Sequence, residues 1–174
     1  MFQINWKFKS FIYKLLYIFK LKKTLFFIQK KITKRAKVDI NEAKFYWLDH
    51  LKYLKTYKSE KIIEFGAGKS LEQNIFLSYK SNRKFNQTLI DVSNMIDINL
   101  FNIASEQISK LLNVNREPFV KSIEEIKKFY NITYLAPCTM EEINKKELSF
   151  DACISSSTLE HLPLDVLKNN FHIL

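Results

Sequence analysis

The chain contains only two glycines, and both lie in the stretch Gly66-Ala67-Gly68. The apolar run before them, Lys61–Phe65, is typical of a buried parallel strand, and the spacing after them predicts a helix over 69–79. Glycine adopts positive φ without strain and lets a ligand approach the backbone closely. The helix would add free N–H groups and a positive dipole end. We therefore expect a ligand-binding turn between this strand and this helix.

The rest of the chain is predicted to alternate between strands and helices. Further strands are expected over 88–91, 132–135 and 150–155, and further helices over 41–57, 100–112, 122–130 and 164–170. In the helix over 100–112, the spacing puts Ile103, Ile108, Leu111 and Leu112 on one face. A chain of 174 residues with 47% hydrophobic content can bury a core, so we predict an α/β domain with a parallel sheet.

Three kinds of site can use a glycine turn in this position. A phosphate-binding P-loop would share Gly68-Lys69-Ser70, but it needs a glycine where Ile63 stands. A dinucleotide-binding turn needs a third glycine where Leu71 stands. In both cases Glu64 would repel the phosphates of the ligand. An acid before the glycines instead suits a ligand that carries a positive amino group, which is the third kind of site.

Three separated segments resemble the class I S-adenosylmethionine-dependent methyltransferases. Glu64, Gly66 and Gly68 match the family's acid-x-G-x-G motif, and Asp91 ends the second strand where the family places an acid for the ribose hydroxyls. The segment 150–163 reads F-D-x-x-x-S-x-x-x-L-E-H-x-P, a form found in members that act on small molecules, lipids and glycans. The resemblance covers residues 61–174.

This resemblance implies a fold, a cofactor and an activity. It implies a Rossmann-like parallel sheet with flanking helices, S-adenosyl-L-methionine as cofactor, and methyl transfer to a small-molecule, lipid or glycan acceptor. The implied cofactor-binding residues are Glu64, Gly66, Ala67, Gly68, Asp91 and Ser155. No metal is expected. The family often has an acid near the adenine after the third strand, where this chain has Ala136-Pro137-Cys138-Thr139.

His161 is the candidate catalytic residue, because it lies in the L-E-H-x-P segment. It can act as a base or orienting group, or it can cap and pack the turn after the fourth strand. Methyl transfer from a sulfonium is promoted mainly by positioning, so a base is not obligatory.

The sequence ends just before the family's turn into a fifth strand, since 169–174 is similar to the residues preceding that turn. We expect about four strands, with the fold incomplete at the C-terminus and the chain shortened there. An inactive fragment or a non-catalytic binding module is therefore the alternative to an enzyme.

The excess positive charge is confined to residues 1–40, which carry eleven basic residues and one acid, whereas 41–174 is balanced. Apolar residues at helical spacing over 8–32, rich in aromatics, predict a basic amphipathic arm before the cofactor-binding domain at 41–174. Such an arm is typical of attachment to an anionic membrane surface. Packing on the domain is an alternative. Nucleic acid is disfavoured, because the arm has a single arginine and no N/D-P-P-Y motif follows the fourth strand.

The sequence also predicts a location. No uncharged run in the N-terminal region approaches the length of a membrane span, and no signal-peptide pattern is present. Cys138 and Cys153 have the spacing of neither a disulfide framework nor a zinc site. We predict a cytoplasmic protein with reduced thiols, held peripherally on the inner membrane face by residues 1–40.

Overall fold

The computed structural model describes residues 38, 40–146, 148–156 and 158, with the backbone alone for 41–44 and 144. These residues belong to one unit of the chain, Val38–Leu174. The predicted helices over 8–32 and 164–170 lie outside the described residues, as does the segment 159–163 with His161.

The described residues form five helices and four strands, and a helix stands between each pair of successive strands. They are α1 (Ile40–Thr56), β1 (Lys61–Phe65), α2 (Glu72–Lys80), β2 (Asn86–Ile90), α3 (Ile98–Leu112), α4 (Ile123–Tyr130), β3 (Ile132–Leu135), α5 (Met140–Lys145) and β4 (Ala152–Ile154). None of these helices is long and apolar enough to cross a membrane.

The four strands form one parallel sheet in the order β3-β2-β1-β4. Ile63 in the middle of β1 pairs with Thr88 of β2 on one side and Cys153 of β4 on the other. The prediction of an α/β, Rossmann-like parallel sheet with flanking helices is thus confirmed. The chain adds β2 and β3 on one side of β1 and then returns to add β4 on the other. Ligands of such sheets bind at the carboxyl ends of the strands beside this reversal.

Both faces of the sheet are covered. Ile62 packs in a large cluster with Trp47, Leu51 and Leu54 of α1 and with residues of α2, α3 and α4. Ile63, the next residue, packs with Met140 and Ile143 of α5 in a second cluster. Consecutive residues of a strand point to opposite faces, so a doubly covered strand buries both sets of side chains; β1 does so from Ile62 to Phe65, with Glu64 the one polar residue of that run.

The buried face of α3 matches the one that hydrophobic spacing indicates only in part, since Ile108 is buried and Leu112 packs against the core as predicted. Ile103 and Leu111 are 45% and 40% exposed, whereas Phe101, Ala104 and Ile108 are fully buried. Phe101 packs edge-on against the Tyr130 ring of α4, with centroids 5.0 Å apart. The same face carries Ser105 and Ser109, whose hydroxyls form hydrogen bonds in the core, so residue hydrophobicity alone predicts Ile108 correctly but misplaces the centre of the buried stripe.

Helix α5 is not predicted from the sequence, although a signal for it is present. Thr139 accepts a hydrogen bond from the Glu142 amide through Oγ1, and Glu142 Oε2 accepts one from the Thr139 amide at 2.8 Å. This reciprocal pair is a capping box, written as T-x-x-E in the sequence. It fixes the start of a helix that is too short to show a periodic apolar stripe.

Candidate functional site

The loops that follow β1, β2 and β4 meet at the carboxyl edge of the sheet. The Gly66 amide donates to the Ile90 carbonyl at 3.0 Å, immediately before Asp91. On the other side of β1, Ser155 Oγ donates to the Phe65 carbonyl at 3.3 Å. The structure therefore brings together Glu64, the glycine turn, Asp91 and Ser155, which the sequence singles out from three separated segments.

Gly66 is required because of its conformation and because of its neighbour. Its φ is +69°, and a Cβ atom there would collide with the side chain of Thr158. Thr158 Oγ1 also donates to the Gly66 carbonyl at 3.3 Å. The segment after β4 thus lies directly against the glycine turn.

Gly68 differs from Gly66 in its surroundings. Its φ is +80°, and no atom of the described residues lies within 4 Å of the position a Cβ would take. Ala67 between the glycines packs against the main core, and Leu71 before α2 is buried with φ +52°. The turn is anchored below by Ala67 and Leu71, while its backbone at Gly68 is open to an approaching molecule.

Glu64, on β1, is 2% exposed and binds the first turn of α2. Its Oε1 accepts from Gln73 Nε2 at 3.3 Å, and its Oε2 accepts from Asn74 Nδ2 at 2.5 Å. Burial raises the pKa of the Glu64 carboxyl to about 7, against the opposing effect of these amide donors. Glu64 is therefore poised between its neutral and charged forms at neutral pH.

The hydrogen bonds of Glu64 continue in two directions. Asn74 Nδ2 also donates to Gln87 Oε1 of β2 at 3.2 Å, and Gln87 Nε2 donates to the Asn74 carbonyl at 3.1 Å. Gln73 Oε1 accepts from His50 Nδ1 of α1 and from Ser156 Oγ after β4, both at 2.9 Å. One polar network therefore joins α1, α2 and the carboxyl edge of the sheet beneath the glycine turn.

Asp91 is 7% exposed and is held by an aromatic hydroxyl. Tyr134 donates to Asp91 Oδ2 at 3.0 Å and accepts from the Met95 amide at 3.0 Å. Burial raises the pKa of the Asp91 carboxyl, and the bond from Tyr134 opposes that rise. Burial also raises the pKa of Tyr134 to about 12, so its hydroxyl remains a donor. The pair gives Asp91 a fixed orientation.

A cavity of about 510 Å³ opens at the end of β3, along the segment whose backbone hydrogen-bonds to Asp91. Its walls are formed by Tyr134–Cys138 of the chain after β3 and by Glu142, Lys145 and Lys146 around α5. The Asp91 amide donates to the Leu135 carbonyl at 3.2 Å, and the Cys138 amide donates to the Asp91 carbonyl at 2.9 Å. The backbone of Asp91 is therefore hydrogen-bonded to two residues of the cavity wall, Leu135 and Cys138.

Sequence reasoning misses five residues of this site: His50, Gln73, Asn74, Gln87 and Tyr134. The two amide side chains could have been identified from the sequence, because Gln73 and Asn74 stand in the first turn of the helix that follows the glycine loop. Tyr134 and His50 had none, since their partners are 43 and 23 residues away in sequence. Within the described ranges, no group of three or more His, Cys, Asp or Glu residues is arranged to hold a metal ion.

Comparisons of the chain with known protein families, with curated proteins and with solved structures find no match.

Proposed function

We propose that this protein binds S-adenosyl-L-methionine and transfers its methyl group to a small-molecule, lipid or glycan acceptor. The observation that supports this most directly is the position of two acids at the carboxyl ends of neighbouring strands. Glu64 of β1 and Asp91 after β2 flank the glycine turn beside the reversal of strand order. This combination of an acid, an open turn and a second acid suits a cationic nucleoside.

The charge of the site argues against a phosphate-bearing ligand. Glu64 and Asp91 are both buried carboxyls near the turn, so a pyrophosphate would find no positive charge on either of them. A sulfonium compound with an α-amino group brings positive charge instead. The open backbone at Gly68 would receive its amino-acid end, and Ser155 stands on the β4 side of the same turn.

The nucleoside end of the ligand fits the residues around Asp91. Because Tyr134 engages Oδ2, Oδ1 is the oxygen that would accept a hydrogen bond from a ribose hydroxyl. The adjoining cavity has Leu135, Ala136 and Pro137 in its wall, which offers apolar surface to a heterocycle. The acid that the resembling family often places near the adenine is absent from 136–139, so backbone groups there would supply the polar contacts.

When bound, the cofactor supplies an electrophilic methyl carbon on a sulfonium. In the proposed transfer, the acceptor atom would form a bond to that carbon as the carbon–sulfur bond broke, and the bonding electrons would stay on sulfur. The acceptor's proton leaves to a base or to water. We assign His161 as the candidate base on the sequence motif alone, and it lies outside the described residues.

The basic arm, 1–40, is the proposed link to a membrane. We place the protein in the cytoplasm, with its lysines meeting anionic headgroups on the inner membrane face. An acceptor that is lipid-linked would be encountered most often there. This part of the proposal depends on the sequence of residues 1–40.

Isothermal titration calorimetry on the full chain tests the proposed ligand. We expect binding of S-adenosylmethionine and S-adenosylhomocysteine, and no comparable binding of NAD or ATP. Asp91→Asn should weaken binding by about tenfold to a hundredfold, the effect of a hydrogen bond to a charged group. The matched control is Asp49→Asn on the exposed side of α1, which should leave affinity unchanged. Preference for NAD or ATP would overturn the proposal.

A methyl-transfer assay separates an enzyme from a binding module. Release of S-adenosylhomocysteine in the presence of pooled lipid, glycan and small-molecule acceptors would support the enzyme. Tight binding of the cofactor without turnover by any acceptor class would favour the non-catalytic alternative.

A further inference from the structure

Glu64 is a buried acid that is surrounded by amides and by other acids. Gln73 and Asn74 of α2 donate to its two oxygens, and none of the ion pairs in the described part of the chain includes it. Asp91 after β2 adds negative charge nearby, and the Cys153 thiol of β4 also interacts with the Glu64 carboxyl. Among the residues that the structure describes, a negative charge on Glu64 therefore has hydrogen-bond donors but no cation paired with it.

Two further ionisable groups face this region from other elements. His50 of α1 reaches Glu64 only through the intervening amide of Gln73. Lys69 of the glycine loop interacts electrostatically with Asp97 at the start of α3. Neither side chain places a positive charge directly on the Glu64 carboxyl.

The hydrogen-bond polarity around Glu64 is fixed by the backbone. Gln87 Nε2 donates to the Asn74 carbonyl, so Gln87 Oε1 is the atom that faces the Asn74 side chain. That oxygen needs a donor, so the Asn74 side chain turns Nδ2 toward both Gln87 and Glu64. The amides are thus arranged to receive a carboxylate, while burial at 2% exposure opposes its charge.

The two amide bonds to Glu64 are unequal. Asn74 donates at 2.5 Å, whereas Gln73 donates at 3.3 Å, near the outer limit for a hydrogen bond. Gln73 also keeps alternative partners in His50 and Ser156. Its bond to Glu64 Oε1 is therefore the one that a stronger, charged donor would replace.

We propose that Glu64 releases a proton to solvent when the α-ammonium group of the ligand docks, so that binding of S-adenosylmethionine or S-adenosylhomocysteine strengthens as pH rises through the neutral range. This inference rests on the proposed function and adds the means by which the site senses the ligand's charge. The neutral carboxyl loses its proton, and the resulting carboxylate pairs with the ammonium. A ligand without that ammonium leaves the proton in place.

Calorimetry in buffers of different ionisation enthalpy measures the protons released on binding. With the full chain at about pH 6, S-adenosylhomocysteine should release close to one proton, and at about pH 8 close to none. Its dissociation constant should fall by up to about tenfold per pH unit below pH 7. The probe 5′-methylthioadenosine lacks the amino-acid end, so it should release none at either pH.

Three variants locate the source of the proton. Glu64→Gln should abolish the release with S-adenosylhomocysteine, whereas Glu124→Gln on exposed α4 should retain it. Asp91→Asn tests the other acid at the site; it removes a charge that raises the pKa of Glu64, so it should reduce the release without abolishing it. Infrared difference spectra of the unmodified chain supply a measurement that does not depend on the variants folding. They should lose a protonated-carboxyl band when S-adenosylhomocysteine binds.

The outcomes separate this inference from the proposed function. Binding of S-adenosylhomocysteine without proton release at about pH 6 overturns the inference and leaves the proposed function intact. Equal release with 5′-methylthioadenosine, or loss of release in Asp91→Asn alone, assigns the proton elsewhere and also overturns it. If neither S-adenosylmethionine nor S-adenosylhomocysteine binds, both fail.

Discussion

The side chain of Thr158 occupies the space that a Cβ atom on Gly66 would need. The two residues are 92 positions apart in sequence, and the Thr158 hydroxyl donates to the Gly66 carbonyl. The glycine turn and the segment after β4 therefore constrain each other directly.

Gly66→Ala should destabilise the protein by about 2–4 kcal/mol. Positive φ costs an alanine about 1–2 kcal/mol, and the collision with Thr158 adds an overpacking cost of similar size. Urea denaturation measures the change. Adding Thr158→Gly should recover part of the loss, because it removes the collision and leaves the φ strain. Equal stability of the single and double variants would contradict the contact.

Gly68→Ala should be milder for stability and severe for ligand binding. Its φ of +80° costs about 1–2 kcal/mol in the folded state, and the open space around it accommodates the methyl group. That methyl group would stand where the ligand approaches the backbone. Denaturation and calorimetry on the same sample compare the two effects. A variant that binds S-adenosylmethionine normally would show that the ligand does not approach the turn here.

Tyr134→Phe should raise the pKa of Asp91 further and weaken ligand binding. The hydroxyl of Tyr134 supplies a hydrogen bond that favours the charged form of Asp91, against the effect of burial. The cost in stability should be about 1 kcal/mol, typical of one hydrogen bond. Carboxyl chemical shifts followed across pH measure the pKa. Tyr53→Phe on exposed α1 is the control and should change neither quantity.

Stability should fall between about pH 5 and pH 8 because of Glu64. Its pKa is about 7 in the folded protein and near 4.5 when unfolded, so the folded state holds the proton more tightly. The stabilisation that comes from protonating Glu64 in the folded state is complete below the pKa of the unfolded chain. It is lost as pH rises through the pKa of the folded protein, and its amplitude is roughly 3 kcal/mol. The free energy of unfolding, measured against pH, should lose this contribution in Glu64→Gln. An identical slope in both proteins would contradict the burial of an uncompensated acid.

Replacing the lysines at 7, 14, 22, 23, 30 and 31 by glutamine should reduce binding to anionic vesicles and leave binding to neutral vesicles unchanged. Each lysine near such a surface contributes about 1 kcal/mol, screened by salt. Co-sedimentation of the full chain with vesicles checks this. Replacing the exposed lysines 52, 55, 80, 84, 110 and 121 is the control of equal charge. Equal sedimentation of both variants would favour an arm that packs on the domain.

Much of the fold was predictable because local pattern and sheet environment agree. β1 occupies Lys61–Phe65 as predicted, since its apolar run and the following glycines mark both ends. β3 likewise coincides with the predicted range. Helix α2 begins at Glu72, not at 69, because the turn continues through Leu71 in a left-handed conformation. A leucine in that conformation is set by its burial in the core, which the local sequence does not reveal.

The sequence predicts which residues of the candidate site lie close together, but it does not predict the hydrogen bonds among them. The strand-end positions of Glu64 and Asp91 follow from the alternation of strands and helices. The partners of these acids do not, because Tyr134, Gln87 and His50 come from other elements. Which polar side chain meets a buried acid depends on strand order and helix packing.

The pairing of β1 also indicates the order in which the protein folds. Ile63 meets Thr88 across 25 residues of chain but meets Cys153 across 90, and β4 contributes only three residues. Closing the longer loop costs more chain entropy and is followed by fewer hydrogen bonds, so β4 should join the sheet after β1, β2 and β3 have assembled. Its amide hydrogens should exchange fastest among the four strands. Ser155 and Thr158 follow β4, so the wall they form beside Gly66 is completed in the last stage of folding and is the first part to open.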